Sequence, residues 1–191
     1  VKSQRAELVA DTAINLLAER GMRGLTHRAV DEAAGLPPGS TSNLARTRSA
    51  LLELTLARLT QLETAAFTPF AGPPGPDVVE SLAQMAARAL WTQLTTGRRQ
   101  TIARYELAFE ATRRPELRTI YDRAGQRFRE IAVSILSAAG SSDPVRHGRQ
   151  LVAFGEGVMF DAVIGAGAEP TLDDLRLGIV ELLRGMLGHE G

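Results

Sequence analysis

Apolar residues recur at helical spacing along almost the whole chain, and alternating runs bounded by tight turns are absent. This pattern predicts an all-α protein of about nine helices. The first runs from about Ser3 to Arg20, with Ala6, Val9, Ala13, Leu16 and Leu17 along one face, and stops at Gly21, a residue suited to a left-handed C-cap. Thr26 is a good N-cap for a short second helix, His27 to Ala34, which ends at Gly35. A third, very short helix begins at Pro37 and Pro38 and carries Gly39, Ser40, Thr41, Ser42 and Asn43. The fourth, about Arg48 to Phe67, spreads Leu51, Leu52, Leu54, Leu56, Leu59 and Leu62 over more than one face, as expected of a connector buried on several sides.

The prolines and glycines from Thr68 to Pro76 make the clearest break. Beyond it, Asp77 caps a helix reaching about Thr96, which Gly97 ends. The next helix carries Tyr105, Phe109 and Glu110 up to the Arg113-Arg114-Pro115 corner. A long helix covers Glu116 to Ala139, and residues 140–143 form a loop. Pro144 starts a helix to about Ala166, and Thr171 caps a last one from Leu172 to Leu187. There is no internal repeat and no low-complexity segment.

Composition narrows the chemistry. The 191 residues include no cysteine, so disulfides and thiolate metal sites are excluded and a reducing cytoplasm is the expected compartment. The opening VKSQRAEL, followed by Asp11 and Glu19, reads as a structural helix rather than a signal peptide. Uncharged stretches such as Ile131 to Ser142 fall short of the roughly 20 apolar residues a membrane helix needs, and no membrane is expected as a partner. Net charge is zero, but residues 1–58 hold eight basic against six acidic residues, while residues 143–191 hold four arginines against eight acids. The N-terminal end can therefore meet phosphate and the C-terminal end cannot. Three histidines, no Glu-x-x-His or His-x-x-x-His spacing and no glycine-rich loop after a strand argue against an enzyme, a metal site or a bound cofactor.

His27 to Leu44 meets the needs of a helix-turn-helix. Gly35 supplies positive φ at the turn, Leu36 follows as an apolar plug, and Val30, Ala33 and Ala34 offer a small packing face. The second helix of the pair is rich in Ser, Thr and Asn, whose short side chains let a backbone approach the major groove. The same composition is also that of an ordinary loop, and each arginine taken singly suits a solvated surface as well as a phosphate contact. The glycine and leucine spacing carries the inference.

That spacing gives the chain its resemblance to a family. Gly24-Leu25-Thr26, Val30, Ala34-Gly35-Leu36-Pro37, Gly39-Ser40-Thr41, Arg48 and Ala50-Leu51-Leu52 resemble the N-terminal pattern of TetR-like regulators over roughly the first 60 residues. The later segment YELAFEATRRPELR, ending at Arg118, resembles the ligand domain of one subgroup. The resemblance implies a helix-turn-helix DNA-binding domain over 1–47 and a ligand-binding and dimerisation domain over 48–191, joined by helix 48–67. It implies that Thr26 and Arg28 touch phosphates, that Ser40, Thr41, Ser42 and Asn43 face the groove, and that Arg46 and Arg48 clamp the DNA backbone. Where the family commonly has aromatic residues, this chain has Ser42, Asn43, Leu44 and Ala45, which makes Asn43 the best candidate for a base contact. Asp31 departs from a small apolar preference, and its carboxylate is either solvated or bonded to Arg28 or another neighbour.

The resemblance further implies a small-molecule effector pocket among the fifth to eighth helices. Met85, Trp91, Tyr105, Phe109, Tyr121, Phe128 and Met159 are the candidate lining residues, although any one of them also suits plain core. A carboxylate of Glu106 or Glu110 facing that pocket would select a cationic or hydroxylated effector. The last two long helices imply a four-helix homodimer interface through Phe154, Val158, Ala162, Leu175, Ile179 and Leu182, with glycines allowing close approach. The expected function is that of a transcriptional regulator, a repressor by family habit, in which effector binding tilts helix 48–67 and moves two readers away from the spacing of about 34 to 36 Å that successive grooves require. A helical dimerisation module without DNA binding is the alternative, and it leaves the Ser/Thr/Asn segment unexplained.

Overall fold

The computed structural model describes residues 2–67 and 77–188. Among these residues the chain forms nine α-helices and no strand: α1 (Lys2–Gly24), α2 (His27–Ala33), α3 (Ser40–Leu44), α4 (Arg48–Phe67), α5 (Val78–Leu94), α6 (Arg98–Ala111), α7 (Pro115–Ala138), α8 (Pro144–Val163) and α9 (Leu172–Leu187). The all-α expectation holds, with helix ends within a few residues of those read from the pattern. The proline-rich break from Thr68 to Pro76 lies outside the described residues.

Local chemistry explains the starts and stops. The Thr26 hydroxyl accepts from Ala29 N, and Asp77 accepts from Glu80 N, each satisfying a first-turn donor. Thr171 and Asp174 form a reciprocal capping box at the start of α9. Gly21 is non-helical, at φ +63° and ψ −172°, so the first continuous helical run stops there as expected, and a short further turn beyond this bend completes α1 at Gly24.

Packing divides the chain into two compact units, Val1–Ala65 with Arg99–Ala124, and Ala66–Arg98 with Gly125–Gly191. This differs from the expected boundary after residue 47. The reason lies in the core: Val9, Ala13, Leu17, Leu25 and Val30 bury against Leu51, Leu52 and Leu59 of α4, and Ala103, Leu107 and Leu117 of α6 and α7 complete the same cluster. Each fully buried leucine here contributes about 2 kcal/mol of burial. Cutting the chain at residue 47 would separate the two sides of that cluster.

In the second unit α9 packs along α5 and both touch α8. Ala83 and Ala87, buried one turn apart on α5, keep that face narrow. Arg176 of α9 donates to both carboxylate oxygens of Glu80 on α5 at 3.0 Å. A Cβ on Gly148 of α8 would meet Val133 Cγ2 of α7 at 2.8 Å, so glycine sets the close approach of those helices.

Candidate functional site

The short helices α2 and α3 form a helix-turn-helix whose turn carries two left-handed glycines, Gly35 at φ +64° and Gly39 at φ +86°. Gly39 is the N-cap of α3 and has no side chain to satisfy the helix's first donors. Asp31 of α2 does so instead. Its Oδ2 accepts from Gly39 N at 2.8 Å, and its Oδ1 accepts from Thr41 N at 2.8 Å and from the Thr41 hydroxyl at 2.6 Å. At the far end of α3, His27 Nε2 lies 2.6 Å from the carbonyl of Ala45, which can only accept, so the ring donates from Nε2. A five-residue helix, too short to persist alone, is thus held by α2 at both ends. Burial pushes the Asp31 carboxyl up, but the hydrogen bonds from Thr41 and Gly39 and the nearby charge of His27 outweigh it and hold it below the ordinary range.

This geometry sorts the residues picked from the sequence. Thr41 is 0% exposed and its hydroxyl is committed to Asp31, so it packs the motif and does not face outward. Ser40 is buried too, its hydroxyl accepting from Arg5 at 3.3 Å. Ser42 is half-buried, while Asn43 and Arg46 are exposed. Leu44, between them, is an exposed apolar side chain that the site reading did not include. Thr26 is exposed with its hydroxyl engaged as a cap, and Arg28 is exposed and paired with Glu32 at 2.7 Å. Asp31 is buried and bonds to Gly39 and Thr41 while Arg28 pairs with Glu32, so the third alternative, another neighbour, is the one realised.

Arg48 does not extend outward as a clamp. Its Nη1 donates to the carbonyl of Leu25 at 2.6 Å and its Nη2 to that of Met22 at 2.7 Å, tying the first residue of α4 to the corner between α1 and α2. From the other side, the Met22 N–H donates to Glu106 Oε2 of α6 at 3.1 Å. The Met22 backbone is therefore held from both sides, its carbonyl by a guanidinium of α4 and its N–H by a carboxylate of α6, one residue past the bend at Gly21. Sequence reading missed this because an 84-residue separation leaves no local spacing signal.

The aromatic candidates fall into both units. In the first, Glu63 of α4 and Arg104 of α6 form a largely buried ion pair at 3.1 Å. The Arg104 guanidinium also lies 4.9 Å over the buried Tyr105 ring and donates to the Tyr121 hydroxyl at 3.5 Å. Phe109, on the same helix, is 50% exposed. In the second, Met159 is buried, Met85 and Phe128 are half-buried, and Trp91 is exposed. A groove of about 730 Å3 between α7 and α8, edged by Arg129, Glu130, Ser134 and Arg149 over Val133, contains none of the seven candidates. Glu110 pairs with Arg114 through a short contact, and Glu106 serves Met22. Among the described residues no group of three or more His, Cys, Asp or Glu could hold a metal ion.

The interface candidates divide in the same way. Ala162, Leu175 and Ile179 are buried within their own unit, because α9 spends that stripe on α5 and α8. Phe154, Val158 and Leu182 are half-buried, and Phe154 Cζ would sit 3.2 Å from a Cβ on Gly178. The exposed large apolar residues on these helices and at the end of α8 are Val145, Phe160, Ile164, Leu172 and Leu177, and a Cβ on Gly157 or Gly185 would meet open space.

With this arrangement established, residues 76–189 match the family model described as the tetracyclin repressor-like C-terminal domain. The chain belongs to the TetR family. Solved structures agree over nearly the full length. A transcriptional regulator from Rhodococcus sp. Rha1 is 20% identical, with 96% of each chain covered and a TM-score of 0.79. A TetR-family member from Streptomyces coelicolor A3 is 25% identical, covering 94% of this chain and 98% of its own, with a TM-score of 0.76. The multidrug binding protein EbrR in complex with ethidium is 25% identical, covering 93% and 98%, with a TM-score of 0.71. No curated protein sequence matches the chain. As a TetR protein it is a transcriptional regulator, and among its described residues no helix is long and apolar enough to cross a membrane.

Proposed function

We propose that this protein is a cytoplasmic repressor that binds palindromic operator DNA as a homodimer and leaves it when a small molecule binds. The carrying observation is α3 itself, fastened at both ends by α2 while Asn43, Leu44 and Arg46 are left exposed on and just beyond it. Rigid presentation lowers the ordering cost of docking a short helix in the major groove. Asn43 suits a bidentate contact to adenine, Leu44 a thymine methyl and Arg46 a phosphate. Ser42, at the edge of this face, is proposed as a secondary contact, and the exposed Thr26 and Arg28 as phosphate contacts. Homodimerisation through Phe160, Ile164, Leu172 and Leu177 would pair two readers by a two-fold axis.

The effector is proposed to be an aromatic cation. EbrR is solved with ethidium, proflavin and malachite green, and here the Glu63 carboxylate is paired with Arg104, whose guanidinium lies against Tyr105 and Tyr121, so that an aromatic cation would compete with Arg104 for it. The experiment is titration of purified protein with duplex DNA across a range of salt. Affinity falling steeply and linearly in log salt supports the reading, and absence of duplex binding at any salt refutes it.

A further inference from the structure

We propose that Glu106 is the residue through which α6 sets the position of the DNA-reading helices, an inference that rests on the DNA-binding reading above. The corner between α1 and α2 is the point where the reader joins the rest of its unit, and its Met22 backbone is held from two helices. Arg48 stands two residues beyond the exposed Arg46 and is covalently continuous with the reader, so it travels with it. Glu106 belongs to another part of the chain. Its carboxylate takes the Met22 N–H just past Gly21, whose φ of +63° bends α1 there.

Three features make this contact suited to carry a signal. First, a peptide N–H that loses its acceptor in a part-buried place pays the desolvation cost in full, so the corner follows the carboxylate or gives up a charge-assisted bond. Second, Glu106 shares one helical turn with Arg104, which binds α6 to Glu63 of α4 and to the Tyr121 hydroxyl of α7. A ligand that draws Arg104 off Glu63 therefore acts on the turn that carries Glu106. Third, a further polar link from α6 to α1, Arg99 to Glu19 at 2.9 Å, joins two exposed side chains, a kind of pair that contributes little. The route runs through α6 to the corner, alongside the tilt of α4 anticipated from sequence.

Coupling is reciprocal, so it can be read from the DNA side without knowing the effector. Amide hydrogen exchange of residues 98–111 is measured with and without a duplex that the protein enriches from a random pool. In wild-type protein, bound duplex is expected to slow exchange in α6. Glu106→Gln, which keeps an acceptor oxygen, retains the slowing, and Arg99→Ala retains it too. Glu106→Ala still binds the duplex and loses about five-fold or more of the slowing, in line with the usual size of coupling between sites. Three results overturn the proposal: α6 exchange in the wild type unmoved by bound duplex, slowing fully preserved in Glu106→Ala, or slowing abolished by Arg99→Ala. The first of these needs no variant to fold. A wild-type protein that enriches no duplex overturns the DNA-binding reading itself, and that result is separate from the other three.

Discussion

Asp31 and Thr41 stand ten residues apart, on different helices, and are joined twice: the Asp31 carboxylate accepts both the Thr41 N–H and the Thr41 hydroxyl. With the Gly39 N–H on its second oxygen, one carboxylate supplies the cap that α3 lacks. Residues that look like part of a reading surface thereby become the fastening beneath it.

Replacing Asp31 by alanine should cost about 2 kcal/mol or more, because three donors lose a charged acceptor inside the motif. The pH dependence has a definite sign. A carboxyl held below its ordinary value in the folded protein contributes stability that is complete above the aspartate range and is lost as pH falls through it. Thermal melts between about pH 6 and pH 3 should therefore fall more steeply for wild type than for Asp31→Asn. Parallel melting curves would remove Asp31 from this role.

The helices, their caps at Thr26, Asp77 and Thr171, and the positive-φ glycine at position 35 were legible because each rests on residues close in sequence. The facing of single side chains was less so. In a helix of five residues the difference between buried Thr41 and exposed Asn43 depends on where Asp31 lies, which Ser/Thr/Asn composition does not encode. Arg48 had the family's position, yet its guanidinium closes a corner. The stripes of α8 and α9 were wide enough for two partners, and composition could not say which edge α5 had taken.

Asn43→Ala should relax specificity at one operator position, at a cost of about 1–3 kcal/mol for the matched base. Arg46→Ala should weaken all duplexes alike and reduce the salt slope by about one. Competition among single-base variants of one duplex distinguishes them, and identical profiles for both substitutions would contradict the assignment of base reader and phosphate contact.

Phe160 and Leu177 are 42% and 45% exposed, and a homodimer through the outer faces of α8 and α9 would bury them. Phe160→Glu combined with Leu177→Glu should give a folded monomer by sedimentation, with duplex affinity reduced. An unchanged dimer would place the interface elsewhere.

The Glu63 and Arg104 pair is mostly out of water, so Arg104→Met should cost about 3–5 kcal/mol by removing the guanidinium from a buried carboxylate. Adding Glu63→Gln should recover much of that loss. A double-mutant cycle read by denaturant unfolding checks it, and strictly additive losses would mean that the two charges do not interact.

Selection of duplexes from a random pool by the purified protein bears most directly on the central claim, that α2 and α3 form a DNA reader. The account predicts enrichment of an inverted repeat with half-sites about one helical turn apart, and loss of preference at one symmetric pair of positions for Asn43→Ala. A pool that shows no enrichment, or the same enriched sequence with the same preference for Asn43→Ala and Arg46→Ala as for wild type, would contradict it.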